Sequence, residues 1–425
     1  MNRRRLPWRW VWAGVTLFCF GAAVLSSAVA AQSADHAAGG DTTVFDEGPT
    51  AFGRALANLD PLRWNEVRAG KQRFMRLWPQ RGPWADADSC AACHFHDGRG
   101  PRPDQMQSGL SHLIRLGTPS SGGDPVYGVQ LRRTGDGVPA PGQFAVRWEE
   151  IGGRYPSGER YTLRRPVVHV SGLAYGPLDP QTRMSLRVPP AIFGLGLLEA
   201  VTEQEIVGLA DPEDMDGDGV SGNAQRVRDP VTGRMRLGRF GWKASQPSLA
   251  AQTAAALSND LGVAAFQNER DVTSLVDYLR ALAVPARRRW TEPVVTKGDS
   301  LFVSIGCDGC HRRRLTTDPG AGWPELTRQS IRPYTDLLLH DMGPQLADSV
   351  GEGLASGREW RTPPLWGLGL LPTVSGHAGL LHDGRARSPE EAILWHGGEG
   401  DRARERFVAL PRESRAAVVE FLASL

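Results

Sequence analysis

Four cysteines and two histidines stand in two matching patterns, Cys90-Ala91-Ala92-Cys93-His94 and Cys307-Asp308-Gly309-Cys310-His311. C-x-x-C-H is the attachment pattern of a c-type haem. Two thiols three residues apart on one helical turn can form thioethers to the two vinyl groups of one porphyrin. The following residue then sets its imidazole under the iron. The fifth cysteine, Cys19, lies in the N-terminal apolar run, so none is left over for a disulfide. A zinc site drawn from both pairs, with four thiolates or with two thiolates and two imidazoles, is the structural alternative. Against it, a histidine follows the second cysteine both times. A thioredoxin-like pair would lack that histidine. The pattern predicts two covalently bound haems c, held by Cys90, Cys93, Cys307 and Cys310, with His94 and His311 as iron ligands.

Three further groups could do chemistry. Met342, in His340-Asp341-Met342-Gly343, follows His311 by 31 residues and is the candidate sixth ligand of the second iron. Thioether ligation would raise that potential; the alternative is a methionine filling the core. The first half offers no equally placed methionine, which leaves His96, His112 and His169 as candidates or an open position. Glu199 sits among Leu197, Leu198, Ala200 and Val201. A carboxylate there would have a raised pKa and could move peroxide protons, unless it is a helix-terminal acid. Asp214, Asp216 and Asp218, with Gly219 after them, begin like an EF-hand loop and predict calcium. Gln225 stands where the bidentate Glu should be, so an Asx-rich turn is the alternative.

The elements that must position these groups repeat. Val276-Asp277-Tyr278-Leu279-Arg280-Ala281-Leu282 matches the C-terminal Val419-Glu420-Phe421-Leu422-Ala423-Ser424-Leu425. Both have the period of an amphipathic helix that closes a small cytochrome c domain. Partner helices precede the cysteine motifs at 67–77 and 298–306. A second repeat is Arg187-Val188-Pro189-Pro190 with Gly194 to Leu198, against Arg361-Thr362-Pro363-Pro364 with Gly367 to Leu371. The first module spans 186 residues from Cys90 to Val276 and the second 112 from Cys307 to Val419, so the first carries about 74 more. Val126 to Val170 is the expected insertion, with alternating strands at 144–148 and 161–164. The domain expectation is a signal peptide at 1–30 and a flexible leader at 31–47. An N-terminal haem domain at 48–283 follows, then a linker at 284–295 and a C-terminal haem domain at 296–425. The expected fold class is mainly α, loop-rich, with a small β insertion in the first of two cytochrome c-like domains.

Arg3, Arg4, Arg5 and Arg9, the apolar run from Val11 to Val24 and Ala28-Val29-Ala30 read as a secretory signal with an A-x-A cleavage site. A retained membrane anchor is the alternative. Removing those arginines from 49 basic residues leaves 45 against 47 acidic, a net charge of −2 that argues against a nucleic-acid partner. No later segment is apolar enough to span a membrane. With 425 residues, 40% hydrophobic and 23% charged, the chain has the composition of a globular protein, and Gly 50 with Pro 31 predict many loops.

The chain resembles the di-haem oxidoreductase family, relatives of bacterial dihaem cytochrome c peroxidase and of the dihaem enzyme that matures a tryptophan-derived quinone. The likeness covers about residues 48 to 425. It rests on 90–100, 187–201, 214–223 and 238–249, and on 307–311, 340–343, 361–364, 382–385 and 389–392. The resemblance implies a peroxidatic N-terminal haem, a high-potential C-terminal haem and calcium between them, and it supports Met342 as a ligand. The expectation is a periplasmic dihaem c-type cytochrome oxidoreductase that reduces hydrogen peroxide with electrons from a small cytochrome c or cupredoxin. Glu199 would shuttle the proton, and Trp242 is an aromatic candidate beside the haems. A non-catalytic electron-transfer cytochrome and an enzyme oxidising a protein partner are the two alternatives.

Overall fold

A computed structural model describes residues 36–78, 82–102, 112–118, 122–264 and 269–425. The expected signal peptide and the start of the leader lie outside the described residues. Among the described residues no helix is long and apolar enough to cross a membrane.

Each module is built on two crossed helices. Trp64–Met75 packs on Glu269–Ala281, and Pro293–Ser304 packs on Arg412–Ser424. The closing helix of the first module buries Val276, Leu279 and Leu282, the stripe the sequence displays. Its first-turn Asp271 pairs across the crossing with Arg73 at 2.6 Å and Arg76 at 2.7 Å, where an acid also suits the helix N-terminus. Glycine permits both crossings. A β-carbon at Gly70 would run into the carbonyl of Ser274, and one at Gly298 into that of Ala417. One turn further on, Phe74 packs on Tyr278 and Phe302 on Phe421, with ring centroids 5.4 and 5.1 Å apart.

The expected mainly α class does not hold. The chain is 33% helical and 19% strand, with many small sheets. Between each cysteine motif and its closing helix, glycine and proline stop helices after a turn or two, and the chain instead pairs in short antiparallel ladders. The expected insertion is the longest of these, Gln143–Arg154 against Arg160–Ser171. Its inner face, with Phe144, Val146, Val168 and Val170, packs on a core of Ile114, Leu116, Tyr127, Leu131 and Leu186. Its tip reaches the second module, where Arg415 holds Glu159 at 2.6 Å and Tyr155 donates to Glu390 at 2.8 Å.

Two shorter ladders copy one another. Leu113–Gly117 pairs with Arg183–Arg187, Leu113 opposite Arg187, and Leu339–Asp341 pairs with Glu359–Arg361, Leu339 opposite Arg361. Each Arg-x-Pro-Pro repeat thus leaves its ladder at the same register. By that register Leu116 stands where the second copy has Met342.

Residues 36–44 are packed, within the stretch 31–47 expected from the sequence to be a flexible leader. Thr42 and Thr43 are buried, a 3-10 turn spans Gly40–Thr42, and Val44 bridges to Pro285. The Arg332 amide donates to Ala38 and the Asp41 amide to Gln329, so this segment ties the expected linker to the second module. The linker is itself packed, with Val284 and Arg287 buried. The largest apolar core draws Phe52, Leu275, Leu337, Trp366 and Leu394 into one cluster across both modules.

Candidate functional site

The two C-x-x-C-H motifs open onto one cavity of about 610 Å³. Cys90 to Cys93 forms a single helical turn whose N-terminus is capped by Ser89, which accepts the Ala92 amide. Each motif histidine then donates its own amide to the carbonyl of the first cysteine, His94 to Cys90 and His311 to Cys307, both at 3.0 Å. That closes the turn and aims cysteines and histidine to one side. None of the four cysteines is in a disulfide. Burial pushes the thiols of Cys90, Cys93 and Cys307 up to about 12 and raises that of Cys310, so they are neutral thiols.

The two histidines are prepared alike. His94 Nδ1 lies 2.9 Å from the Pro190 carbonyl and His311 Nδ1 2.9 Å from the Tyr334 carbonyl. A carbonyl only accepts, so each Nδ1 carries the proton and each Nε2 keeps a free lone pair. Burial lowers both pKa values to about 4, against the opposing hydrogen bonds to Pro190 and Tyr334. Both rings are therefore neutral, the form that binds a metal, with the outer nitrogen fixed by a carbonyl as metal-ligating histidines commonly are. Each also packs on the phenylalanine of its crossed helices, His94 on Phe74 and His311 on Phe302, at 6.2 Å. Unpaired thiols, oriented neutral imidazoles and a largely apolar cavity fit a haem at each motif. They do not form the zinc alternative. Among the described residues, the groups close enough to share one ion are Cys310 with Asp336 and His340, and Asp211 with Asp214 and Asp216.

Across the cavity the modules differ. Among the described residues, its histidines and methionine are His94, His311, His340, Met342, His382 and His396. Only His94 comes from the first module. His96, His112 and His169 do not line it; His96 binds the Val374 carbonyl and His112 that of Pro101. His340 is spent, its Nε2 2.8 Å from Asp336 and its Nδ1 2.6 Å from Glu399. Burial disfavours its charge, yet hydrogen bonds to Asp336, Cys310 and Glu399 raise its pKa well above the usual value. His382 lies flat on Trp360 at 3.7 Å. His396 repeats the motif histidines: half-buried, its pKa lowered by desolvation, with Nδ1 on the Ala392 carbonyl at 2.7 Å. Its ring centroid is 6.5 Å from that of His311. At that separation one metal ion would be within reach of both rings. Met342 also lines the wall, and it and His396 both flank Gly400. Sequence reasoning missed His396. Its only local signal is the carbonyl four residues back on its own helix.

Glu199 is not the cavity carboxylate expected from the sequence. It binds Arg280 at 2.7 Å and accepts the Leu249 amide at 2.8 Å. It thereby caps the helix Leu249–Asn259 and is absent from the cavity wall. The carboxylates that do line the cavity are Asp218, Asp260, Glu352 and Glu399. Asp260 accepts from Gln130 and Glu399 holds His340. Glu352 lies 3.1 Å from Arg187; burial works against its charge, and Arg187 foremost holds its pKa below the usual value.

The acidic loop gathers Asp211, Asp214 and Asp216, not Asp218, with ligand oxygens within 4.8 Å of one another. Asp218 instead accepts the Val220 amide. Gln225 is buried, donating to the Lys243 and Glu352 carbonyls and accepting the Leu354 amide.

A family model described as "di-haem oxidoreductase, putative peroxidase" matches the chain twice, over residues 128–274 and 267–425. The chain belongs to this di-haem oxidoreductase family. The two matches overlap at 267–274, so the first ends inside the first module's closing helix, Glu269–Ala281, and the second runs from the start of that helix through the whole second module. No curated protein matches the chain. Membership makes haem the cofactor of the chain.

Proposed function

We propose that the protein is a periplasmic c-type dihaem oxidoreductase that reduces hydrogen peroxide with electrons from a small cytochrome c or cupredoxin. Haem held at the two motifs would supply one-electron chemistry and, where its iron keeps an open position, a place for a peroxide oxygen. Cys90 and Cys93 hold one group and Cys307 and Cys310 the other, with His94 and His311 as the fixed nitrogen ligands. The observation that carries this reading is the asymmetry of the wall. Among the described residues, the second module brings Met342 and His396 to the wall along with His311, and the first brings His94 alone. One site is built to be saturated and to store an electron, the other to stay reactive.

Glu352 is the carboxylate placed to take a peroxide proton. It faces the cavity and is ionised beside Arg187, so it has the lone pairs to accept a proton there. The loop at Asp211, Asp214 and Asp216 is the proposed calcium site, because hard oxygen donors suit that ion.

Intact mass of the exported protein tests the cofactor. The expected product begins near Ala31 and carries two haem additions; zinc in place of haem would remove the reading. Electron paramagnetic resonance of each centre, with and without peroxide, tests the reaction. One centre should be reactive and respond to peroxide. Two low-spin, six-coordinate centres in every redox state would make the protein an electron carrier instead.

A further inference from the structure

We propose that Arg99 and Arg361, both set against the segment Gly241-Trp242, form a two-guanidinium seat for a haem propionate. This deepens the dihaem reading and rests on it.

Both arginines are buried, 8% and 7% exposed, and both line the cavity. Among the described residues neither makes an ion pair with a carboxylate. Arg99 gives Nη2 to the Leu381 carbonyl, leaves Nε without a partner and lies over the Trp242 ring at 5.0 Å. Arg361 gives Nε to the Gly241 carbonyl at 3.0 Å and Nη1 to the Thr362 carbonyl at 3.1 Å. Its amide holds the Trp242 carbonyl at 2.9 Å, while the Trp242 indole is fixed on Val188. Both guanidiniums thus sit against the segment Gly241-Trp242.

The acids that act on these cations are already taken. Asp383 is bound to Arg385 at 2.7 Å and Asp336 to His340 at 2.8 Å. Asp97, two residues before Arg99, receives the Tyr278 hydroxyl at 2.6 Å. Burial lowers both arginines to about 10, which still leaves them cationic at neutral pH.

The internal repeats make the vacancy specific. His-Asp-Gly-Arg occurs at 96–99 and again at 382–385. In the second copy Arg385 is neutralised by Asp383, and in the first, among the described residues, Arg99 has no such partner. Arg-x-Pro-Pro occurs at 187 and 361. There Arg187 is neutralised by Asp348 at 2.7 Å and Glu352 at 3.1 Å, and Arg361 has no such partner. Each repeat has one arginine answered by the protein and one left for something else. A buried guanidinium without an anion is costly and is kept where an anion arrives. Its planar fork matches a carboxylate with two parallel hydrogen bonds. The carboxylates a haem brings into this cavity are its propionates.

The test uses the haem-loaded protein and the variants Arg99→Met, Arg361→Met, Arg99→Lys and Arg361→Lys. Three quantities are read: haem per chain, the two midpoint potentials, and the propionate bending bands in resonance Raman. The Met variants should keep two haems, shift a propionate band and lower one midpoint potential, since a cation beside the haem is lost. The Lys variants should keep most of the potential and still shift the band, because charge remains and the fork is gone. Unchanged bands and potentials in chains carrying two haems would overturn the seat. If a Met variant does not fold, its Lys counterpart decides, an unmoved band counting against the seat. A wild-type chain without haem would sink the dihaem reading itself, a different result from any of these.

Discussion

A single ring nitrogen decides what each histidine can do. His94, His311 and His396 each give Nδ1 to a carbonyl and keep Nε2 for the cavity. His340, two residues from Met342, has both nitrogens engaged by carboxylates. The contrast makes the sixth ligand of the second site testable. His396→Ala should change the low-spin spectrum of that haem, and Met342→Ala should leave its axial spectrum intact. Loss of a methionine-type charge-transfer band in Met342→Ala alone would return the position to Met342. Glu199 gives a second residue-scale prediction. Glu199→Gln removes the charge of an ion pair and weakens a helix cap, so it should lower unfolding free energy by about 1 kcal/mol. Its peroxide rate should stay near wild type; a loss of tenfold or more would restore Glu199 to the chemistry. The cysteine motifs were legible in the sequence because covalent attachment dictates their spacing. His396 was not, since no spacing rule links it to His311, and Glu199 was misread because Arg280 lies 81 residues away.

Among the elements, those with a period of their own were the easy ones. The crossed helices show their buried stripe, and the long hairpin shows its alternation. Ladders of two to five residues show neither, so a chain with 19% strand reads as helical with loops. The acidic loop is intermediate between these cases. Its sequence announces an oxygen-rich turn, while the choice of ligands depends on the fold, which brings in Asp211 and turns Asp218 back on Val220. Protein prepared with calcium should contain the metal, and chelation should lower its melting temperature. Asp214→Asn should lower metal content, whereas Asp218→Asn should change it little. Metal analysis without calcium under those conditions would leave only an Asx-rich turn.

At the scale of the whole molecule, stability should depend on pH through a buried cluster. Asp86 is fully buried, and its pKa is pushed up to about 7 by burial, against hydrogen bonds from Gln130 and the charge of Arg133. In the unfolded chain an aspartate titrates near 4. The folded state therefore binds a proton that the unfolded state has lost. This contribution is complete below about pH 4 and disappears as the pH rises through about 7. Thermal melts should show stability declining across that window, and Asp86→Asn should flatten the decline. An unchanged slope in Asp86→Asn would assign it to other groups.

The segment at 36–44 adds a matter of timing. Its anchors are the stretch at 284–287 and residues 329 to 332; the contact from Asp41 to Gln329 spans 288 positions. Contacts of such reach form late, because closing the intervening loop costs entropy before any packing rewards it. While a chain emerges head first, this stretch has to wait for partners that appear near the tail. Cys93 is buried once folding is complete. If haem is attached as proposed, an enzyme acting on the Cys93 thiol would meet it most readily before this late contact closes, and slow closure would lengthen the interval for loading the cofactor.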